Sequence, residues 1–341
     1  MGILEFIKVV GRGKEGSKDL SREGAKTAFR EIISGRATDI QTGAFFSSMR
    51  IKGESRDELS GFMDAVKESM VTIDLPGSTE ALCISANYDG KARGSHILPS
   101  AIFIAAGAGL KAVSHGSTMV PANCAPTFHD VLLEMGAGMP EGEEGIKECF
   151  AEAGFAYAHQ SVYSPELFGI LPLRREFGMR TFVNVIEKAL NPFGTTKLVC
   201  GIFHEPFFQN LEHLAKEAGF TRWTVVKGAE GGVEPFPARE TRYISGTIDG
   251  STSESFDPKG MGVEAANYPF TDIKADAALN SSVLEGKEGP GRGWAVYTAS
   301  VLLYSAGIFN GLKEAREGAE ASLRSGEAIK RFRAYAKAAR R

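Results

Sequence analysis

Cysteine is scarce in this chain and carries no pattern. Cys83, Cys124, Cys149 and Cys200 are the only four in 341 residues, and they stand far apart. None has the short spacing of a zinc or cluster site. Cys83 and Cys200 lie in apolar, strand-like runs, where a thiol packs as a small hydrophobe. Such usage fits a reducing compartment. His129, His159, His204 and His213 share no common spacing, which argues against a zinc motif. No apolar run reaches the roughly 18 residues that a membrane span needs. In the opening MGILEFIKVVGRGKEG the basic residues follow the apolar segment, the wrong order for a secretory signal. A cytoplasmic protein with no membrane partner is expected. Excess charge is missing too. The net charge of −3 gives no global pull toward nucleic acid, so any basic surface must be local. The chain shows neither an internal repeat nor a low-complexity tract.

What is present is globular: 43% hydrophobic and 24% charged residues, with length enough for two domains. The 40 glycines imply many tight turns. Leu20–Met70 reads as three amphipathic helices. Ser21 caps the first and Gly35 ends it; Thr38 with Gln41, and Ser55 with Glu58, make capping boxes for the next two. From Leu82 the texture alternates between strand and helix, which predicts a mostly parallel sheet covered by helices. Leu82–Gly116 organises that half. It reads as a strand, a loop Asn87–Ser95, a helix His96–Ala108 and a second strand Lys111–Ser114. Further helices are expected over Pro126–Met135, from Pro165 to near Gly178, over Thr181–Leu190 and over about Glu205–Ala218. Strands are expected at Phe155–Ala158, Lys197–Phe203 and Arg222–Val226, with Tyr243–Ile248 as an edge strand. The remainder from about Thr271 reads as helical, with breaks at Gly286–Gly293 and Gly318.

A loop that leaves a strand and opens a helix gathers backbone N–H groups and a positive dipole end, which suits an anion. Lys91, Arg93 and His96 could therefore form a phosphate-binding cluster, or else a solvated loop. His115 ends a strand at the carboxyl edge of the sheet, where ligands gather; the competing reading is a structural histidine. Glu230 and Glu234 stand four apart in the Gly-rich loop Lys227–Pro235 and could be the remnant of a metal site, although a turn shaped by its glycines is the simpler reading. The tail Lys330–Arg341 holds six cations and no acid. At about 100° per residue, Lys330, Arg333, Lys337, Arg340 and Arg341 share a helix face. Ile329, Phe332, Tyr335, Ala336 and Ala339 share the opposite one. With Arg331, that stripe could neutralise several nucleic-acid phosphates; Lys8, Arg12, Lys14 and Lys18 could add a second patch.

Three sets of residues together resemble anthranilate phosphoribosyltransferase. The first is Glu31–Gly35 with Gln41, Ala44, Phe45 and Arg50–Glu54; the second is Arg174, Phe177, Gly178, Arg180–Phe182 and Asn184 closing on Asn191-Pro192. The third is Asp257-Pro258, Leu284–Pro290 and Ser325–Ala328. The resemblance covers about 20–330 in order. It implies an α/β fold of the nucleoside phosphorylase/phosphoribosyltransferase type: a small all-helical domain (1–75 with about 164–192) and a larger α/β domain (76–163 with about 193–341) around a mostly parallel sheet. The active cleft would lie between them, and the protein would be a homodimer. Arg174 matches the arginine that contacts the family's aromatic acid, with Arg175 adjacent.

The departures from the family are concentrated at the donor site. The family's Gly-Thr-Gly-Gly-Asp loop is replaced by Asn87–Gly94, and its Asn-x-Ser-Thr phosphate contacts by Ser95–Leu98. Lys-His-Gly becomes Ser114-His115-Gly116, and the Asp-Glu pair that holds Mg²⁺ becomes Val233-Glu234. Tyr88–Arg93 and Lys227–Gly232 resemble a divergent branch that binds nucleic acid without sequence preference and lacks the transferase activity. The resemblance thus implies a DNA- or RNA-binding protein without a cofactor. The alternative is a glycosyl- or phosphoribosyltransferase that uses phosphoribosyl diphosphate, Mg²⁺ and an unknown acceptor.

Overall fold

The computed structural model describes residues 2–13, 15–85 and 89–340. Lys14, Asn87, Tyr88 and Arg341, named above, lie outside the described residues.

The chain opens with helices α1 (Ile3–Val10), α2 (Arg22–Ile33), α3 (Asp39–Lys52) and α4 (Arg56–Lys67). The expected caps form. Ser21 accepts from the Gly24 amide, and both capping boxes close. Helices α2 and α4 pack closely because Gly61 has no side chain. A Cβ there would fall on the Arg22 carbonyl oxygen and lie 2.9 Å from Ala25 Cβ.

The α/β part follows as β1 (Leu82–Ser85), α5 (Leu98–Gly107), β2 (Ala112–Gly116), α6 (Phe128–Glu134), α7 (Gly142–Ala153) and β3 (Phe155–His159). Short helices α8 (Gln160–Tyr163), α9 (Pro165–Gly169), α10 (Leu171–Phe177) and α11 (Val183–Ile186) then return to the helical layer. Phe182 stacks on Phe62 at 3.9 Å and meets Phe29, Phe45 and Phe46 edge-on. Arg30 Nη1 donates to Glu166 at 2.9 Å. The chain continues through β4 (Lys197–Gly201), α12 (Phe207–Glu217), β5 (Arg222–Val226), β6 (Thr241–Thr247), β7 (Gly250–Phe256), α13 (Ile273–Leu284), α14 (Arg292–Ser305), α15 (Leu312–Ser325) and α16 (Glu327–Ala338).

The sheet order is β3-β2-β1-β4-β5-β6-β7. Strands β1 to β5 are parallel, while β6 and β7 run antiparallel. Chain direction across the sheet reverses at β1, which sits between β2 and β4. Ligands bind outside the carboxyl ends of strands at such a switch point. Helix α5 is buried from Leu98 to Ala106. A helix covered on all sides needs no polar face, which explains its unbroken apolar run.

Five expectations are corrected. The segment from Pro165 to Gly178 is two helices, and the helix over Thr181–Leu190 shortens to α11 plus a single 3₁₀ turn. Tyr243–Ile248 is not the edge: β6 is paired on both sides, and β7 is the outer strand. Gly318 stays inside α15, and the breaks fall between α14 and α15 and at Gly326. Strand β2 runs on through His115 and Gly116 instead of stopping at Ser114.

Candidate functional site between the helical layer and the sheet edge

The loops that follow β1, β4 and β5 meet the helical layer at the carboxyl edge of the sheet. They enclose a pocket of about 190 Å³. Ile202, Phe203, Phe207 and Leu211 form its apolar wall. Arg50, Arg180 and Lys188 supply its cations.

Arg180 reaches across to the Asp89 carboxylate and places its guanidinium 5.6 Å over the Phe203 ring. It thereby ties the helical layer to the β1 loop. Arg50 donates to the Arg180 carbonyl at 2.7 Å. Lys188 is buried, and its Nζ donates to the carbonyls of Gly201 (2.5 Å) and Gly231 (3.2 Å). Burial holds the lysine below its ordinary pKa. Glu54 shares the pocket, and burial pushes its carboxyl up toward the neutral form. The carboxylate of Asp89 is taken by Arg180, and none touches Lys188 among the described residues. The pocket lining sets Arg50, Arg180 and Lys188 against Asp89, Glu54 and Glu230. Arg180 is matched by Asp89 and Glu230 by backbone amides, which leaves Lys188, beside the apolar wall, as the cation for a small anion with a hydrophobic body.

The predicted site residues fare unevenly. Lys91 is 1% exposed and forms an ion pair with Glu234, itself 2% exposed. Its backbone is drawn under the following loop by a 2.9 Å bond from its amide to Pro126 O. Gly90 permits this approach, because a Cβ there would collide with the Ala125 carbonyl. Lys91 is an internal counter-ion and offers nothing to an external phosphate. His96 is buried too. Its Nδ1 and backbone N–H both meet Asp276 Oδ2, at 2.7 and 2.8 Å, and its Nε2 meets Pro126 O at 2.8 Å. It fastens α13 to two loops. His115 lies within β2, paired with Ser85 on one side and Ala158 on the other. It is fully buried, and burial drives its pKa down to about 3. It sits inside the sheet as a structural histidine and is not among the residues that line this pocket. Arg174 is 1% exposed and grips Glu187 with two bonds of 2.7 and 3.0 Å. Arg175 donates to the carbonyls of Met119 and Thr118. Neither arginine reaches the pocket; Arg180 does.

Of the predicted anion cluster, Arg93 alone stays open, with its side chain 73% exposed and 3.5 Å from Glu230. Glu230 holds the turn together. Its carboxylate accepts from the amides of Ala92 (3.1 Å), Arg93 (3.0 Å) and Gly94 (2.6 Å). The residue adopts a left-handed backbone, φ +49°, which costs a non-glycine residue about 1 kcal/mol. The three amide bonds hold it there. Magnesium does not fit these residues. Glu234 is neutralised by Lys91, Val233 occupies the place of a second acid, and Glu230 is spent on amides. Among the described residues no cluster of three His, Cys, Asp or Glu could hold a metal ion.

The basic tail is helical and docked. Tyr335 is fully buried, and Arg340 donates to the Gly136 carbonyl. Lys330 pairs with Glu327 at 2.9 Å, while Arg333 and Lys337 are exposed. Arg331 is turned inward, beside Lys111 and Lys147. The four cysteines are free, three of them buried, and no helix among the described residues is long and apolar enough to cross a membrane.

The sequence reading missed Arg50, Asp89, Arg180 and Lys188. Arg180 was within reach, since it stands in the same run as Arg174. Lys188 carried no signal, because a lone lysine in a helical run reads as solvated.

Several known proteins are similar to this chain. Residues 4–70 match the helical bundle domain of the glycosyl transferase family, and residues 96–329 match its a/b domain. An uncharacterised protein of Aquifex aeolicus is 38% identical over 92% of this chain and 97% of its own length. The anthranilate phosphoribosyltransferase of Azorhizobium caulinodans is 30% identical over 91% of this chain and 90% of its own. The same enzyme from Thermus thermophilus superposes with a TM-score of 0.84 at 24% identity, covering all of both chains. The yeast enzyme in complex with PRPP and Mg gives 0.85 at 19% identity, covering 99% of this chain and 98% of its own. Those two structures speak for the fold alone. With a matching helical bundle, a matching a/b domain and near full-length relatives, this chain belongs to the glycosyl transferase family that includes the anthranilate phosphoribosyltransferases.

Proposed function

We propose that this chain is a glycosyltransferase that joins a phosphorylated sugar to a small acidic acceptor held between the helical layer and the sheet edge. The observation that carries the reading is the pocket of about 190 Å³ with Arg50, Arg180 and Lys188 around an apolar wall. A cavity of about 150 Å³ admits one benzene ring, so the acceptor is of single-ring size. Relatives named anthranilate phosphoribosyltransferase support a sugar phosphate donor. In transfer, an acceptor atom bonds to the anomeric carbon as the bond to the leaving phosphate breaks, with its electrons going to the phosphate. Arg93 and the amides beside it stand at the sheet edge where that charge would collect.

The test is donor binding and release of phosphate or diphosphate. Ribose 1-phosphate and phosphoribosyl diphosphate, each with Mg²⁺ or with EDTA, would be titrated calorimetrically, then offered with benzoate, 2-aminobenzoate and aliphatic acids. Binding with release for at least one acid is expected. No donor binding at millimolar concentration and no release would remove the reading.

The exposed Arg333 and Lys337, with Lys330 and Arg340 nearby, favour a second reading, a nucleic-acid binder without transferase activity. Lys91 contributes nothing to it, being buried. A gel shift at low salt, abolished by replacing Lys330, Arg333, Lys337 and Arg340 with serine, supports that reading; no shift at low salt sinks it.

A further inference from the structure

The amides of Ala92, Arg93 and Gly94 converge on a single carboxylate. Successive N–H groups aimed at one point form a concavity for an anion. Here the anion belongs to the protein itself. Glu230 reaches it from a turn with glycines at 228, 231 and 232, where it stands in a left-handed backbone held by those three amide bonds. A groove of about 710 Å³ runs past the same carboxylate and is bordered by Arg93, Lys227 and Arg239. Lys227 is matched by Glu205 at 2.7 Å, whereas Arg239 lies over the Phe236 ring at 4.0 Å. The groove thus carries the cations Arg239 and Arg93 on the same lining as Glu230.

We propose that the Ala92–Gly94 amides, backed by the Arg93 guanidinium, are a binding site for one phosphate group, and that Glu230 is a tethered stand-in which the phosphate displaces. The ligand is a single phosphate, either inorganic or a monoester, taken without metal. Three amides and one guanidinium match one such group. A metal-chelated diphosphate would need carboxylates that Lys91 and the amides already hold. The site deepens the transferase reading by defining its donor end, and it rests on that reading only for what the bound phosphate goes on to do.

Burial opposes the Glu230 charge, and the amides of Gly94, Ala92 and Arg93 outweigh it, so its carboxyl sits below the ordinary carboxylate value. The stand-in is thus charged at neutral pH and competes with phosphate under ordinary conditions.

The experiment titrates inorganic phosphate, ribose 5-phosphate and inorganic diphosphate into the full chain, with Mg²⁺ or with EDTA, for wild type, Glu230→Gln and Glu230→Ala. Removing the charge should tighten phosphate binding by about tenfold or more, equally in Mg²⁺ and EDTA. Adding Arg93→Ala should reverse the gain. Tighter ribose 5-phosphate than phosphate would identify a monoester, and the reverse inorganic phosphate. Variants that bind phosphate no better than wild type overturn the proposal, as does a gain confined to Mg²⁺-diphosphate. Should both variants misfold, the wild type still decides. Saturating phosphate must shift the Glu230 carboxyl carbon resonance and the Ala92–Gly94 amide resonances, and their invariance overturns the site. Phosphate binding without transfer to any acceptor would leave this site standing and remove the transferase reading. Transfer that needs Mg²⁺-diphosphate, with no gain in the Glu230 variants, would do the opposite.

Discussion

Arg174 and Glu187 bury a full ion pair, with Gln160 donating to the same carboxylate at 2.7 Å. The pair's worth lies in its completeness, since a buried charge stripped of its partner is costly. Arg174→Met alone should destabilise by about 3–5 kcal/mol in chemical denaturation, and adding Glu187→Met should recover most of that. Recovery stays incomplete because Gln160 loses an acceptor. Lys188 behaves oppositely, for it is buried beside carbonyls and no carboxylate touches it among the described residues. Lys188→Met should leave the melting temperature unchanged or raise it. It should weaken benzoate binding by roughly tenfold or more, as expected when a desolvated charge contact is lost. Equal benzoate affinity in wild type and variant would remove Lys188 from the ligand's reach. At this scale the sequence was a poor guide. Arg174, Lys91 and His96 have the residue types of a site, but which of them face a ligand depends on partners such as Glu187, Glu234 and Asp276, supplied from 13 to 180 positions away.

Elements were far more legible, because helix caps and apolar spacing act over a few residues. Ser21, Thr38 and Ser55 announced three helices, and all three caps form. Strand β7 went unseen because its GSTSESF is exposed along its length except Phe256 and shows no apolar alternation. Helix α7 hid behind its glutamates, although Ile146, Cys149, Phe150 and Ala153 have helical spacing. Gly61 shows how packing overrides propensity. Alanine is favoured over glycine by about 1 kcal/mol in a helix interior. Yet a Cβ at 61 would strike the α2 backbone at Arg22. Gly61→Ala should therefore destabilise by about 1–3 kcal/mol, as overpacking does. A rise in the denaturation midpoint would show that α2 and α4 can part without loss.

The whole molecule should lose stability in acid through its buried histidines. Burial lowers His115 to about 3 and His159 to about 4, against an ordinary value near 6.5 in the unfolded chain. Below that ordinary value the unfolded chain binds protons that the folded one refuses. The histidine contribution is thus complete above about pH 6.5 and falls away as the pH drops toward the folded values. His115 adds at most about 1.4 kcal/mol per pH unit in that window, and His159, less buried, adds less. Denaturation midpoints between about pH 7.5 and 4.5 should fall less steeply for His115→Gln than for wild type; parallel slopes would deny His115 this role.

The helical layer also bears on assembly. Ile40 is 86% exposed and Ile51 73%, the highest exposures among the large apolar residues. They lie eleven positions apart on α3, about three turns, and so on one side of the helix, with Ala44 between them. Apolar surface aligned on one helix face is a surface for association. The homodimer that the family resemblance implies would pair through this face of α3, next to Arg50, which bonds the Arg180 carbonyl at the pocket. Sedimentation should give a dimer for wild type at micromolar concentration and a monomer for Ile40→Glu with Ile51→Glu, while Arg180→Ala should stay dimeric. A monomeric wild type, or a dimer that tolerates both glutamates, would rule out this face.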